Sequence, residues 1–277
     1  MHGVSGLLVV IGAALAVTGC GGGSSASPTS ATAMTPPAAN TPTTAPATPV
    51  APPASTGAVT WQFNGQAWQS SGTPPACPSP LVTGTPVDLA RVTSILYPGQ
   101  SRNGYKPHGG FRFDSAGQTA AVAVTAPMDA TVLRGARYLE GGELQYLFDF
   151  VNSCGVMYRF DHLRELSTRF QAIANALPVA AEGASATTVI SGQSVTLGET
   201  IATAIGLRGN VSVDFGLYDL RQRNAISADP AWLATHPGEL APYGVCWLDH
   251  LTAGDAARVR ALPPGDQQSG RTSDYCR

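Results

Sequence analysis

The sequence predicts a mainly β protein, a compact β-barrel or sandwich with one short helix and a loop-rich C-terminal appendage. Three observations lead there. Short apolar runs punctuated by Gly and Pro recur from Val92 to Leu217, and spaced strands of that kind build sandwiches and barrels. Only one stretch among them, roughly Ser167–Ala176, is followed along a helical face by apolar residues, at Phe170, Ile173 and Leu177. Past Leu220 the texture changes to loops, with short helical stretches at Asp229–Thr235 and Asp255–Leu262.

The elements divide the 277 residues into five parts. Residues 1–19 read as a signal peptide, because the apolar run Leu7–Val17 is too short for the roughly 20 residues a membrane-crossing helix needs. Val17, Thr18, Gly19 and Cys20 resemble the bacterial lipobox, which implies cleavage before Cys20 and lipid on its thiol. Residues 20–57 form a Pro/Ala/Thr-rich tether with no charge and no aromatic, a composition that cannot bury enough surface to order itself. Gly21, following the lipid cysteine, is not Asp; that resembles the default for the periplasmic face of the outer membrane. Residues 58–91 hold a hairpin, with Thr60–Phe63 and Ala67–Trp68 flanking Asn64-Gly65, and then a Pro-rich loop.

Residues 92–221 carry the β domain, with runs at Val92–Tyr97, Gly110–Phe113, Ala120–Thr125, Ala130–Arg134, Tyr146–Val151, Val156–His162, Ser194–Leu197, Glu199–Ile205 and Val211–Leu217. Residues 222–277 form the appendage. A formal net charge of −2 gives no electrostatic case for nucleic acid. Beyond Cys20 stand four cysteines, an even number that in an oxidising compartment implies two disulfides. Of the three pairings, Cys246–Cys276 is favoured because both lie in the appendage; Cys77–Cys154 then pins the N-terminal segment to the core. No CxxC spacing points to metal.

Four blocks in order resemble the lysostaphin-type (LytM-like) metallopeptidase domain. Tyr105, His108, Gly110 and Phe111 are similar to its H-x-G block, and Ala126-Pro127 with Val132 to its "aP.dG.V" turn. Gly155, Tyr158, His162 and Leu163 are similar to the "g..y.HL" strand; Gly192-Gln193, Val195, Gly198 and Ile201 are similar to "v..Gq.V..G..I". The resemblance covers roughly residues 92–221 and implies the duplicated-hybrid-motif, or barrel-sandwich hybrid, fold and a zinc-dependent cut in peptidoglycan.

The implied chemistry is incomplete. The family ligates zinc with the His and Asp of H-x-x-x-D and the second His of H-x-H, leaving one position open for water. His108 matches the first ligand and His162 the proton-handling "HL" histidine, but Arg112 stands where the Asp belongs, and a guanidinium cannot ligate a cation. Aligned through Phe215, Ser212 and Asp214 take the two H-x-H positions. Arg112 and Asp214 are accordingly expected to pair with each other where the metal would sit. His162 alone would also suit an ordinary strand position, and His236 and His250 read as solvated loop residues.

The expected function is a peptidase-like module without activity that binds peptidoglycan or a cell-wall hydrolase, tethered to a membrane through Cys20, with no cofactor. The alternative is an active zinc metalloendopeptidase with ligands His108 and Asp214, and Asp114 if the alignment shifts by two, using His162 for proton transfer. The Ala126–Ala130 turn is also similar to biotinyl or lipoyl carriers. Those need a lysine on an exposed hairpin; the only lysine, Lys106, lies elsewhere. The appendage could close over His108 and His162 as a cap.

Overall fold

In the computed structural model the described residues are 59–113, 120–183 and 185–277. The signal peptide, Cys20, the tether and Asp114 lie outside them. The strands are β1 (Trp61–Phe63), β2 (Trp68–Ser70), β3 (Ser94–Leu96), β4 (Gln100–Ser101), β5 (Tyr105–Lys106), β6 (Gly109–Arg112), β7 (Val124–Thr125), β8 (Ala130–Glu140), β9 (Glu143–Val151) and β10 (Val156–Leu166). There follow helix α1 (Thr168–Asn175), then β11 (Val179–Glu182), β12 (Thr188–Val189), β13 (Ser194–Val195), β14 (Thr200–Ile205) and β15 (Ser212–Asp219). The appendage holds α2 (Pro230–Thr235), α3 (Ala253–Ala261) and three short 3-10 turns.

The protein is mainly β, and its large sheet runs in the order β11-β8-β9-β10-β15-β6-β3, open rather than closed into a barrel among the described residues. β12 and β13 add to β8, and β14 joins β10 to β7. Strand alternation divides the chemistry of this sheet. Tyr158, Phe160, Val213, Phe215 and Phe111 point to one face and are fully buried. There Phe160 stacks on Phe215 at 5.4 Å, and Phe111 meets Trp247 of the appendage at 4.9 Å. Each such side chain contributes roughly 1.5–3 kcal/mol of burial.

Helix α1 closes the same core. Ser167 and Ala176 flank it as caps, and Phe170 and Ala174, one turn apart, face inward. Phe170 meets the Phe148 ring at 5.4 Å. Pro178, which cannot continue a helix, follows shortly after its end.

The opposite face is polar at its centre yet also covered. Asp149 of β9 is fully buried and takes Arg159 Nε at 2.6 Å and Arg134 Nε at 2.6 Å. Arg134 reaches on to Glu239 of the appendage at 2.5 Å and lies over the Trp68 ring of the N-terminal hairpin. Trp61, Trp68, Met157, Tyr218 and Tyr243 form a second apolar cluster there.

Both disulfides pair as expected, Cys77 with Cys154 and Cys246 with Cys276. Several expectations need correcting. The β1–β2 hairpin turns through four residues rather than two, because Asn64 Oδ1 accepts from the backbone N–H groups of Gln66 and Ala67. β8 and β9 extend to the Gly141-Gly142 turn, well past the expected Arg134, and β11 and β12 were not anticipated. The tail of the appendage follows β3, where Ile95 N–H donates to Pro263 O and Gly265 N–H donates to Ile95 O.

The ion cluster at Asp149 has a pH signature. Burial alone would raise the Asp149 carboxyl, but Arg159 and then Arg134 outweigh it and hold it below its ordinary value. A depressed folded-state value contributes stability above the unfolded-state value of about 3.9, and that stability is lost as pH falls through the folded-state value. Urea unfolding at stepped pH should therefore show stability falling below pH about 4. Asp149→Ala, which strands the Arg159 guanidinium and leaves Arg134 only Glu239, should lose about 3–5 kcal/mol at neutral pH and flatten the acid slope.

Candidate functional site

Strands β6, β10 and β15 lie side by side and bring three sequence-singled residues to one point on the polar face. Antiparallel register sets Asp214 opposite Gly110 on one side and opposite Asp161 on the other. Gly110 has no side chain to crowd Asp214; a Cβ there would come 3.3 Å from Asp214 Oδ1. At Gly109 a Cβ would strike Leu96 O and the Trp247 indole, so the two glycines after His108 are required by close packing on both faces.

His108, two residues before Gly110, places Nε2 2.9 Å from Asp214 Oδ2. This is an ion-pair contact off the alignment of a full hydrogen bond, and both ring nitrogens of His108 are buried without such a bond. His162 Nε2 lies 3.7 Å from the same oxygen, and its Nδ1 lies 3.5 Å from Glu140 Oε2. Burial would raise the Asp214 carboxyl, but His108, then His162 and Arg102, hold it far below the ordinary carboxylate range.

His162 owes its place to a break in β10. Residues Val156–Asp161 pair with β15, whereas Leu163–Leu166 pair with β14, and the register with β9 also slips between Phe160 and Leu163. At the break His162 adopts φ +60°, a left-handed conformation that costs a residue other than glycine of order 1–3 kcal/mol. Its carbonyl accepts from Gly206 N–H at 2.7 Å. Asp161 Oδ1 accepts from the His162 N–H at 2.8 Å and from the Tyr138 hydroxyl. The bend is thus pinned from the end of β14 and, through Asp161, from Tyr138 of β8.

Arg112 shares the face but not the expected partner. Asp214 Oδ2 takes the two histidines, the role the sequence reading gave to Arg112, while Arg112 lies opposite Ser94 and Ser212 with interactions of its own. Its methylene chain runs beneath Gly265, where a Cβ would come within 2.6 Å of Cδ. The guanidinium that Asp214 feels is Arg102, which donates to Tyr97 O, Gln100 Oε1 and His108 O at 2.7, 2.8 and 3.1 Å.

Among the described residues, no three His, Cys, Asp or Glu side chains converge so as to hold a metal ion. Two surface depressions, one of about 710 Å³ by Trp61 and Arg221 and one of about 770 Å³ by Cys77 and His250, are lined by residues outside this cluster.

Sequence reasoning missed Glu140, Asp161, Tyr138 and Arg102. The adjacent charges Asp161-His162 at the end of an apolar strand were the available signal, since strict alternation sends one of two neighbours inward. His236 and His250 are not simply solvated. His236 stacks on Trp232 at 4.5 Å and meets Tyr105 at 4.0 Å, and His250 is half-buried, which lowers its pKa. Set against protein-family models, curated proteins and solved structures, the chain matches none.

The site carries its own pH prediction. Burial lowers the His162 pKa, but Asp214, then Asp161 and Glu140, more than offset it and leave the ring above its ordinary 6.5. A raised folded-state value means stability that is complete below about 6.5 and is lost as pH rises through the folded-state value. Imidazole NMR titration should show His162 protonating above the ordinary range, and Asp214→Asn should move its midpoint down.

Proposed function

We propose that the chain is a lipid-anchored protein of the cell envelope, held through Cys20 at the periplasmic face of the outer membrane. Its β domain is a degenerate peptidase-like module of the duplicated-hybrid-motif type that binds peptidoglycan or a cell-wall enzyme through the old substrate groove. One observation carries the reading. The residues matching the family's histidines and final ligand meet on adjacent strands, yet the aspartate position is Arg112 and Asp214 is engaged by His108 and His162 as an ion-paired carboxylate. That arrangement supports a peptidase-like site that has lost the family's aspartate ligand.

The alternative, an active enzyme using His108 and Asp214 as ligands, draws on the same convergence, so the test must separate the two. Dialysed protein should contain no stoichiometric zinc, and a cell-wall zymogram should stay uncleared with or without chelator. Purified peptidoglycan sacculi should retain the protein, and His108→Ala with Asp214→Ala should weaken retention. Clearing that chelator abolishes would establish the enzyme instead. Zinc-free, inactive protein that sacculi do not retain would leave the cell-wall enzyme as partner, which co-purification with cell-wall amidases then tests.

A further inference from the structure

The chain contains two Asn-Gly pairs, Asn64-Gly65 and Asn103-Gly104, and the fold treats them differently. Asn64 Oδ1 accepts from the N–H groups of Gln66 and Ala67 at 3.0 and 2.9 Å, so its carboxamide is tied to the turn that follows it. Asn103 is exposed at the tip of the β4–β5 hairpin with φ +49°. Among the described residues, neither its side chain nor the Gly104 N–H has a hydrogen-bond partner. Nothing lies within 4 Å of the position a Gly104 Cβ would take. The flanking strands are two residues each, a ladder short enough to open locally without unfolding the domain.

We propose that Asn103 is a spontaneous modification site, where the side chain deamidates through attack by the next residue's backbone. The Gly104 backbone nitrogen attacks Asn103 Cγ and forms the N–Cγ bond of a succinimide. The Cγ–Nδ2 bond breaks, and Nδ2 leaves as ammonia with the proton given up by the Gly104 N–H. Water then opens the ring at one carbonyl or the other, leaving aspartate or isoaspartate; no oxidant or reductant takes part. Glycine at 104 favours the attack because no side chain shields its nitrogen.

The location gives the reaction a consequence. The new carboxylate adjoins Arg102, whose guanidinium holds the His108 carbonyl and contributes to the field at Asp214. Isoaspartate would also lengthen the turn backbone and disturb the Ser101–Tyr105 pairing. Deamidation therefore acts on the loop that positions His108, and it stands whether or not the domain binds the cell wall.

The test is timed incubation of the folded full chain in mildly alkaline buffer, with peptide mapping by mass spectrometry and an isoaspartate methyltransferase assay. Conversion at Asn103 should exceed that at Asn64 roughly tenfold, the factor expected when two ordinary hydrogen bonds must first be released at Asn64. In chain unfolded by urea, the two sites should convert at similar rates. Equal rates in the folded chain, a slower Asn103, or a difference that persists unfolded would each overturn the proposal. An Asn103→Asp variant should shift the His108 imidazole resonances, whereas Asn64→Asp should leave them in place.

Discussion

Asp149 sits in a place where a carboxylate has no water to turn to, and its bonds to Arg159 and Arg134 allow two outlying parts of the chain to close over the sheet's second face. Without those cations the face would carry an uncompensated charge; without the carboxylate, the Arg159 guanidinium would be stranded. Arg134 then extends the arrangement outward to Glu239 in the appendage and to the Trp68 ring in the N-terminal hairpin. Peripheral segments with little apolar surface of their own are in this way attached to a centre that is already satisfied.

The same sheet face supplies the candidate site, a few residues along the same strands. Arg159 and Asp161 are alternate residues of β10, and Asp214 and Gly216 are alternate residues of β15. Polar side chains on this face are therefore consequences of one alternation, with an apolar aromatic core behind them. What distinguishes the site end from the Asp149 end is the bend in β10. There the backbone leaves β15 for β14, and His162, turned into the left-handed region, is delivered toward Asp214. That strained backbone is held by a hydrogen bond from Gly206 N–H to the His162 carbonyl and one from the His162 N–H to Asp161 Oδ1.

Much of the fold was legible because the signals are local. Phe170 and Leu177 on one face, with Pro178 behind them, define α1; Gly and Pro punctuation separates most strands; the even cysteines pair by proximity of segment. The far halves of β8 and β9 were not legible: the apolar runs stop at Arg134 and resume at Tyr146, while the backbone between them pairs across the Gly141-Gly142 turn. At the site, His108, His162 and Asp214 could be singled out individually. Glu140, Tyr138 and Arg102 could not, because they arrive from segments whose own patterns advertise nothing.

By itself the sequence determined the β class, the single central helix, both disulfide partners and the residues capable of carrying charge at the candidate site, all properties of spacing, composition and side-chain type. Only the tertiary structure decided which of those charges meet. Arg112 and Asp214 lie two residues out of register on neighbouring strands, and the carboxylate went to the histidines because the break in β10 and the glycines of β6 brought imidazoles within reach of it. Pairing across strands depends on register and bulges, which long-range packing sets and no local run of residues records.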